Sequence, residues 1–233
     1  MHISKAEGLQ TLKIGIPVVD DIFIGFQPGD FAVIYGNEAQ SLGFLLCVRS
    51  VSPFESGGLD FQAAFIDGGN SFNPYVIAGY ARSFGLNPKA VLERIHVSRA
   101  FTAYQLSSLI LEKLEEFLSS HNVGLILVSD IASLFMDRDI PKTEARDLFL
   151  KVCHKLAEIA KKPKIVLATY TPDRSSRRGI FFDAALFGQI NTLVKFERKN
   201  KILRFALQDH PKIRPFEIEI PTENLLLTKF MEV

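Results

Sequence analysis

The sequence predicts an α/β fold in which a mostly parallel central sheet is flanked by helices and continued by a C-terminal antiparallel β-meander. Short β-rich runs alternate with segments of helical period through most of the chain, the pattern of strands joined by crossover helices. After Asn191 the alternation gives way to strands alone.

The buried strands are expected over residues 31–35, 63–67, 94–97, 124–129 and 164–169, each a compact apolar run too short for a helix. Leu106, Leu109, Ile110, Leu114 and Phe117 recur at three- and four-residue steps, as do Leu148, Val152, Leu156 and Ile159, so each set forms one apolar helical stripe. Residues 192–197, a tight turn at Lys199 and Asn200, then 202–208 and 216–220 supply the meander. Segments 50–60 and 173–179 read as loops. No linker or low-complexity tract divides the chain, so residues 1–233 are expected to form one domain.

Composition narrows the function classes. Lys and Arg number 27 against 26 Asp and Glu, a net charge of +1, so no global attraction to nucleic acid or an anionic membrane is expected and any basic site must be local. Cys47 and Cys153 sit inside apolar helical patterns and His96, His121, His154 and His210 lack ligand spacing, which argues against a disulfide framework and a zinc site. The polar N-terminus lacks the apolar region of a signal peptide and no long apolar run follows, so a cytoplasmic location without membrane spans is expected.

The motif with chemical content is a buried strand ending at Gly36 and followed by a helical run from about Ser41, the setting of a phosphate loop. In a working GxxxxGK[ST] loop, backbone amides wrap the phosphates, the Lys reaches the terminal ones and the hydroxyl holds Mg²⁺. Here the spacing reads Gly36-Asn37-Glu38-Ala39-Gln40-Ser41-Leu42-Gly43. Leu42 stands at the Lys, Gly43 at the Ser/Thr, and Glu38 is expected to add negative charge among the phosphates. Arg49 lies about 10 Å further along the helix and is not expected to reach back.

The neighbouring segments resemble the ATPase core of RecA/RadA-type recombinases. Gly15-Ile-Pro-Val-Val-Asp-Asp-Ile-Phe23 is similar to the GIPELDxLL element of archaeal RadA-type proteins and of the circadian-clock ATPase KaiC. Phe65-Ile-Asp-Gly-Gly-Asn-Ser-Phe-Asn-Pro74 is similar to YIDTENTFRP, and Gly124-Leu-Ile-Leu-Val-Ser-Asp130 to the Walker B strand. The resemblance implies a RecA-like core without the family's separate N-terminal DNA-binding domain. It also places the catalytic glutamate on Gly69, the Walker B aspartate on Ser129 with Asp130 one residue late, and the sensor Asn-Gln pair on Tyr170 and Thr171. Because side chains alternate along a strand, Asp130 is expected to point away from the metal site unless the strand ends at Ser129.

With these positions substituted together, a pseudo-ATPase is expected, with no cofactor and with ATP and magnesium disfavoured. The leading reading is an accessory or regulatory protein of DNA recombination or repair. Its alternatives are an ATPase completed in trans and a peptide-binding module with no nucleic-acid role. Arg174, Arg177 and Arg178 stand where the family places a DNA-contacting loop. The resemblance further implies a protein partner, either a RadA-type recombinase or an FxxA peptide, in an apolar pocket expected at Ala63, Phe65, Ile77 and Ala81. Homo-oligomers are left open. Two FxxA forms, beginning at Phe61 and Phe182, are treated as chance.

Overall fold

The computed structural model describes residues 11–221. After a four-residue helix α1 (Pro17–Asp20) the chain enters β1 (Phe31–Tyr35), α2 (Ala39–Val51), β2 (Gln62–Asp67), α3 (Pro74–Ser83), α4 (Pro88–Leu92) and β3 (Ile95–Arg99). Helix α5 (Ala103–Ser108) runs through a π turn (Leu109–Lys113) into α6 (Leu114–Ser120), and β4 (Val123–Ser129), α7 (Lys142–Ala160), β5 (Ile165–Tyr170) and α8 (Arg177–Phe187) follow. Strands β6 (Thr192–Lys199), β7 (Ile202–Asp209) and β8 (Phe216–Pro221) complete one eight-stranded sheet, ordered β3-β2-β4-β5-β1-β6-β7-β8. Pairings from β3 across to β6 are parallel and the last two are antiparallel.

The two faces of the sheet are covered by different helices. Ala32, Ile34, Ala63, Phe65, Leu125 and Leu127 pack with α2, α3 and α4, whereas Val33, Ala64, Ile66, Ile126 and Val128 pack with α5, α6, α7 and α8. Every residue of β4 is buried, as a strand covered on both sides requires. Cys47 and Cys153 are buried free thiols in these separate layers. Local chemistry starts the short helices: Asn73 accepts from the Tyr75 amide at 3.0 Å and Asn87 from the Lys89 amide at 2.9 Å, each followed by a proline at the first helical position.

Helix α2 leaves β1 toward one face and α8 leaves β5 toward the other, although β1 and β5 are neighbours. The chain thus parts at the carboxyl ends of these strands, the place where open α/β sheets form a crevice. No helix among the described residues is long and apolar enough to cross a membrane.

Candidate functional site

That crevice is a cavity of about 720 Å³, bordered by Gly36, Asn37, Ala39 and Gln40 on one side and by Gly69, Ser71, Asp130, Thr169 and Lys195 on the other. Gly36 holds φ +111°, and a Cβ there would fall 2.2 Å from the Phe196 carbonyl oxygen, so only glycine lets the loop pass this close to β6. The next two residues fasten it there. The Glu38 amide donates to Phe196 O at 3.2 Å. Asn37 donates to the Arg198 carbonyl at 2.9 Å and accepts from its amide at 2.7 Å. Glu38 also pairs with the Arg198 guanidinium at 3.0 Å.

Two expectations about this loop are corrected. The Glu38 carboxylate does not stand among ligand phosphates; it is 8% exposed, neutralised by Arg198, and absent from the cavity wall. The helix begins at Ala39, so only Asn37 and Glu38 separate it from Gly36, and the residue register slides. Leu42 is wholly buried in the core, Gly43 packs on Leu127 and Thr169, and the Ser41 hydroxyl meets Tyr80. The first-turn residues that face the cavity are Ala39 and Gln40. Arg49 is bound elsewhere, donating to the Ser56 and Gly57 carbonyls at 2.7 and 2.5 Å and lying over the Phe84 ring.

The opposite wall starts where β4 stops. Asp130 lies one residue past the strand end at Ser129 and adopts φ +44°, a left-handed conformation that releases it from strand alternation. Its side chain consequently borders the cavity: the strand ends at Ser129, the one case in which the one-residue shift does not turn it away. Its amide donates to the Thr169 hydroxyl at 2.8 Å, and that hydroxyl donates to Gln40 Oε1 at 3.2 Å. Gln40 Nε2 is buried and has no hydrogen-bond partner. Burial raises the Asp130 carboxyl above its ordinary value, opposed by hydrogen bonds from Thr171. Ser129 turns the other way, donating to Asp67 at 2.9 Å and accepting from the Gly69 amide at 3.3 Å. A Cβ on Gly69 would lie 3.0 Å from the Asp130 Cβ, so Asp130 fills the room beside the position that lacks a carboxylate.

Two cations border the cavity, and both already have carboxylate neighbours. Lys195 pairs with Glu197 at 2.7 Å, and Arg174 lies 3.8 Å from Asp183. Tyr170 also borders it; its hydroxyl donates to Asp183, and burial followed by this carboxylate raises its pKa. Such a wall can hold a polar or anionic molecule by hydrogen bonds and charge. It offers no lysine from the helix head and no carboxylate from position 69 to align a water.

Segment 173–179, expected as a loop, is a compact turn over residues 173–176 that runs into the first turn of α8, which carries Arg177 and Arg178. Asp173 accepts from the Ser175 amide at 2.9 Å and the Ser176 hydroxyl at 2.6 Å, and Ser176 caps α8 by accepting from the Gly179 amide at 3.0 Å. The three arginines diverge: Arg174 borders the cavity, Arg177 is exposed, and Arg178 donates to the Ile140 carbonyl at 3.3 Å.

The expected peptide pocket is also corrected. Ala63, Phe65, Ile77 and Ala81 are all at 0% exposure, joined in the core between the sheet and α3. An apolar pocket of about 180 Å³ lies one residue along β2, lined among others by Ala64, Phe65, Ile66, His96, Leu109 and Phe117, so of the four expected residues Phe65 borders a pocket and Ala63, Ile77 and Ala81 do not. The π turn helps wall it, and the His96 ring packs 5.2 Å from Phe117 and 4.9 Å from His121. Of the two FxxA forms, Phe182 is fully buried and Phe61 is packed against the core, so neither aromatic ring projects for a partner. Of the expected loop Gly36–Gly43, the structure keeps Gly36, Asn37, Ala39 and Gln40 on the cavity wall. Sequence reasoning missed Lys195 and His96 as wall residues; no local signal marks Lys195, which one strand register brings beside Tyr35.

Comparison with known proteins agrees with this architecture. The family model of Rad51 matches residues 8–169. The chain is similar to the DNA repair protein RAD51 homolog B of Zea mays, 29% identical over 168 residues that cover 68% of this chain and 49% of that protein. It therefore spans about half the length of that curated relative. With a RecA-type sheet, its crevice at the ends of β1 and β5 and a family match across most of its length, the chain belongs to the Rad51 family.

Proposed function

We propose that this protein is a non-hydrolysing member of the Rad51 family that serves DNA recombination or repair as an accessory or regulatory binding protein. The observation that carries the reading is the make-up of the cavity: the helix head presents Ala39 and Gln40, Gly69 offers no side chain, and the loop is fastened to β6. Phosphoryl transfer needs phosphate charge neutralised and an attacking water aligned, and a cation in such a site contributes about a thousandfold or more to the rate. In the family's chemistry ATP and Mg²⁺ would supply the scissile phosphate and the bridging charge. Of the residues at hand only Asp130 suits the metal and only the first turn of α2 suits the phosphates, so the donor set fits poorly. The repair role rests on family membership and on the repair protein it resembles.

The binding face we assign to a protein partner is the apolar pocket beside β3, the edge strand of the sheet. Its volume suits one aromatic side chain, and β3, unpaired on its outer side among the described residues, offers main-chain hydrogen bonds to an extended peptide. Arg174 and Arg177 are the exposed arginines of segment 173–179, and Arg177, which lies away from the cavity, is the one we assign to a DNA phosphate.

A second reading, hydrolysis completed in trans, draws on the open cavity and on Asp130 within it. One assay separates the two: magnesium-dependent ATP hydrolysis by the purified chain, alone and with DNA and a RadA-type recombinase. Turnover indistinguishable from that of an Asp130→Ala variant is expected. Turnover abolished by Asp130→Ala would overturn the first reading in favour of the second.

A further inference from the structure

Asp67 ends β2 with a side chain that is fully buried yet borders neither the cavity nor the apolar pocket. It accepts from the Ser71 amide at 2.9 Å, the Ser71 hydroxyl at 3.3 Å, the Phe72 amide at 3.2 Å, the Ser129 hydroxyl at 2.9 Å and the Arg99 guanidinium at 3.0 Å. Three of these donors lie on the turn that follows β2, whose Gly69 and Ser71 wall the cavity. The fifth is the last residue of the edge strand β3, paired in register with Asp67 and next to Ser98 of the apolar pocket.

We infer that Asp67 is a positioning residue through which Arg99, on the edge strand of the sheet, sets the shape of the cavity wall at residues 68–72. The turn is soft by composition, with consecutive glycines at 68 and 69 and Asn70 at φ +50°. A buried carboxylate demands compensation, and its hydrogen bonds strengthen one another in a low-dielectric setting. Arg99 therefore helps keep the carboxylate charged, and the charged carboxylate holds the Ser71 and Phe72 amides. Among the described residues the glycines themselves are held from the β4 end, where the Gly68 amide donates to Ser129 O at 3.2 Å, the Gly69 amide to Ser129 Oγ at 3.3 Å, and the Ser133 hydroxyl to Gly68 O at 3.1 Å. The balance at Asp67 runs the same way: burial pushes its pKa up, and the two amides, Ser129 and Arg99 together bring it below the ordinary aspartate value. The inference rests on the reading that the sheet edge at β3 is a binding face of this protein, and it adds that this edge communicates with the cavity wall.

The experiment is residue-resolved amide hydrogen exchange of the full chain, comparing wild type with Arg99→Gln, Arg99→Lys and Ser129→Ala. Arg99→Gln is expected to speed exchange of the Ser71 and Phe72 amides about tenfold or more while Ala64 and Phe65 in β2 keep their protection, and Arg99→Lys is expected to recover most of it. Ser129→Ala should loosen the same turn from the other side. Unchanged exchange at 71–72 in Arg99→Gln, or an equal rise along all of β2, would overturn the inference; the second outcome marks global destabilisation rather than positioning. The Arg99 side chain is 38% exposed, so its replacement leaves the core intact. ATP turnover plays no part in this readout, so hydrolysis would sink the proposed function while leaving the Arg99 and Asp67 link to stand or fall by itself.

Discussion

Restoring a lysine to the phosphate loop has two addresses, and the structure says they will behave oppositely. Counted along the motif, the lysine belongs at Leu42; judged by what faces the cavity, it belongs at Gln40. Leu42 has no exposed surface and packs in the core between sheet and helices, so Leu42→Lys removes a buried aliphatic side chain and leaves an ammonium without a carboxylate. Forcing a longer side chain into such a site costs about 1–3 kcal/mol, and burying its polar end without a partner adds about 1–3 kcal/mol or more. At about 2–4 °C per kcal/mol for a chain of this size, melting should fall by roughly 10 °C. Gln40→Lys instead replaces a side chain whose buried Nε2 has no partner, at the head of a helix with no side-chain cap, so melting should stay within a few degrees. Calorimetric titration with pyrophosphate and with magnesium ATP, beside thermal melts, reads both effects. Gln40→Lys should gain anion affinity by about tenfold, equivalent to roughly 1.4 kcal/mol, and Leu42→Lys should gain none. The reasoning fails if Leu42→Lys melts like wild type and gains affinity while Gln40→Lys does not.

Three further outcomes are expected. Arg49→Met should destabilise the fold by about 2–4 kcal/mol in urea unfolding, because the Ser56 and Gly57 carbonyls lose a charged donor and Asp20 loses its cation; a change under about 0.5 kcal/mol would refute that role. Asp130→Asn should raise the melting temperature at pH 7. The carboxyl's pKa is raised in the fold, so native stability is lost as pH climbs past the ordinary value of 3.8, and the variant's advantage should vanish below it; melts from pH 3 to 8 that show no advantage at pH 7 would contradict the desolvation argument. Ser98→Trp, at an exposed position lining the apolar pocket, should abolish fluorescence-polarisation binding of an FxxA peptide that the wild type binds; equal binding by both proteins would place the partner elsewhere.

By itself the sequence determined the α/β class, the placement of all eight strands to within two residues at each end, and that Leu42 and Gly69 stand where the resemblance puts the loop lysine and the catalytic glutamate. These are local properties. A buried parallel strand reads as a short apolar run, a crossover helix as a 3.6-residue stripe, and a missing lysine as a different letter. Tertiary structure decided the rest. The pocket beside β2 opens on the face of Ala64 and Ile66, with Phe65 at its border, rather than between Ala63, Ile77 and Ala81; adjacent residues face opposite sides, and α3 closes one side while the wall built by the π turn leaves the other open. Asp130 reaches the cavity because β4 ends one residue earlier and its amide finds Thr169, a residue of another strand. Gln40 replaces Leu42 at the cavity because β6 draws Asn37 and Glu38 onto itself and lets the helix begin early. In each case the deciding contact comes from far along the chain, where periodicity and spacing carry no signal.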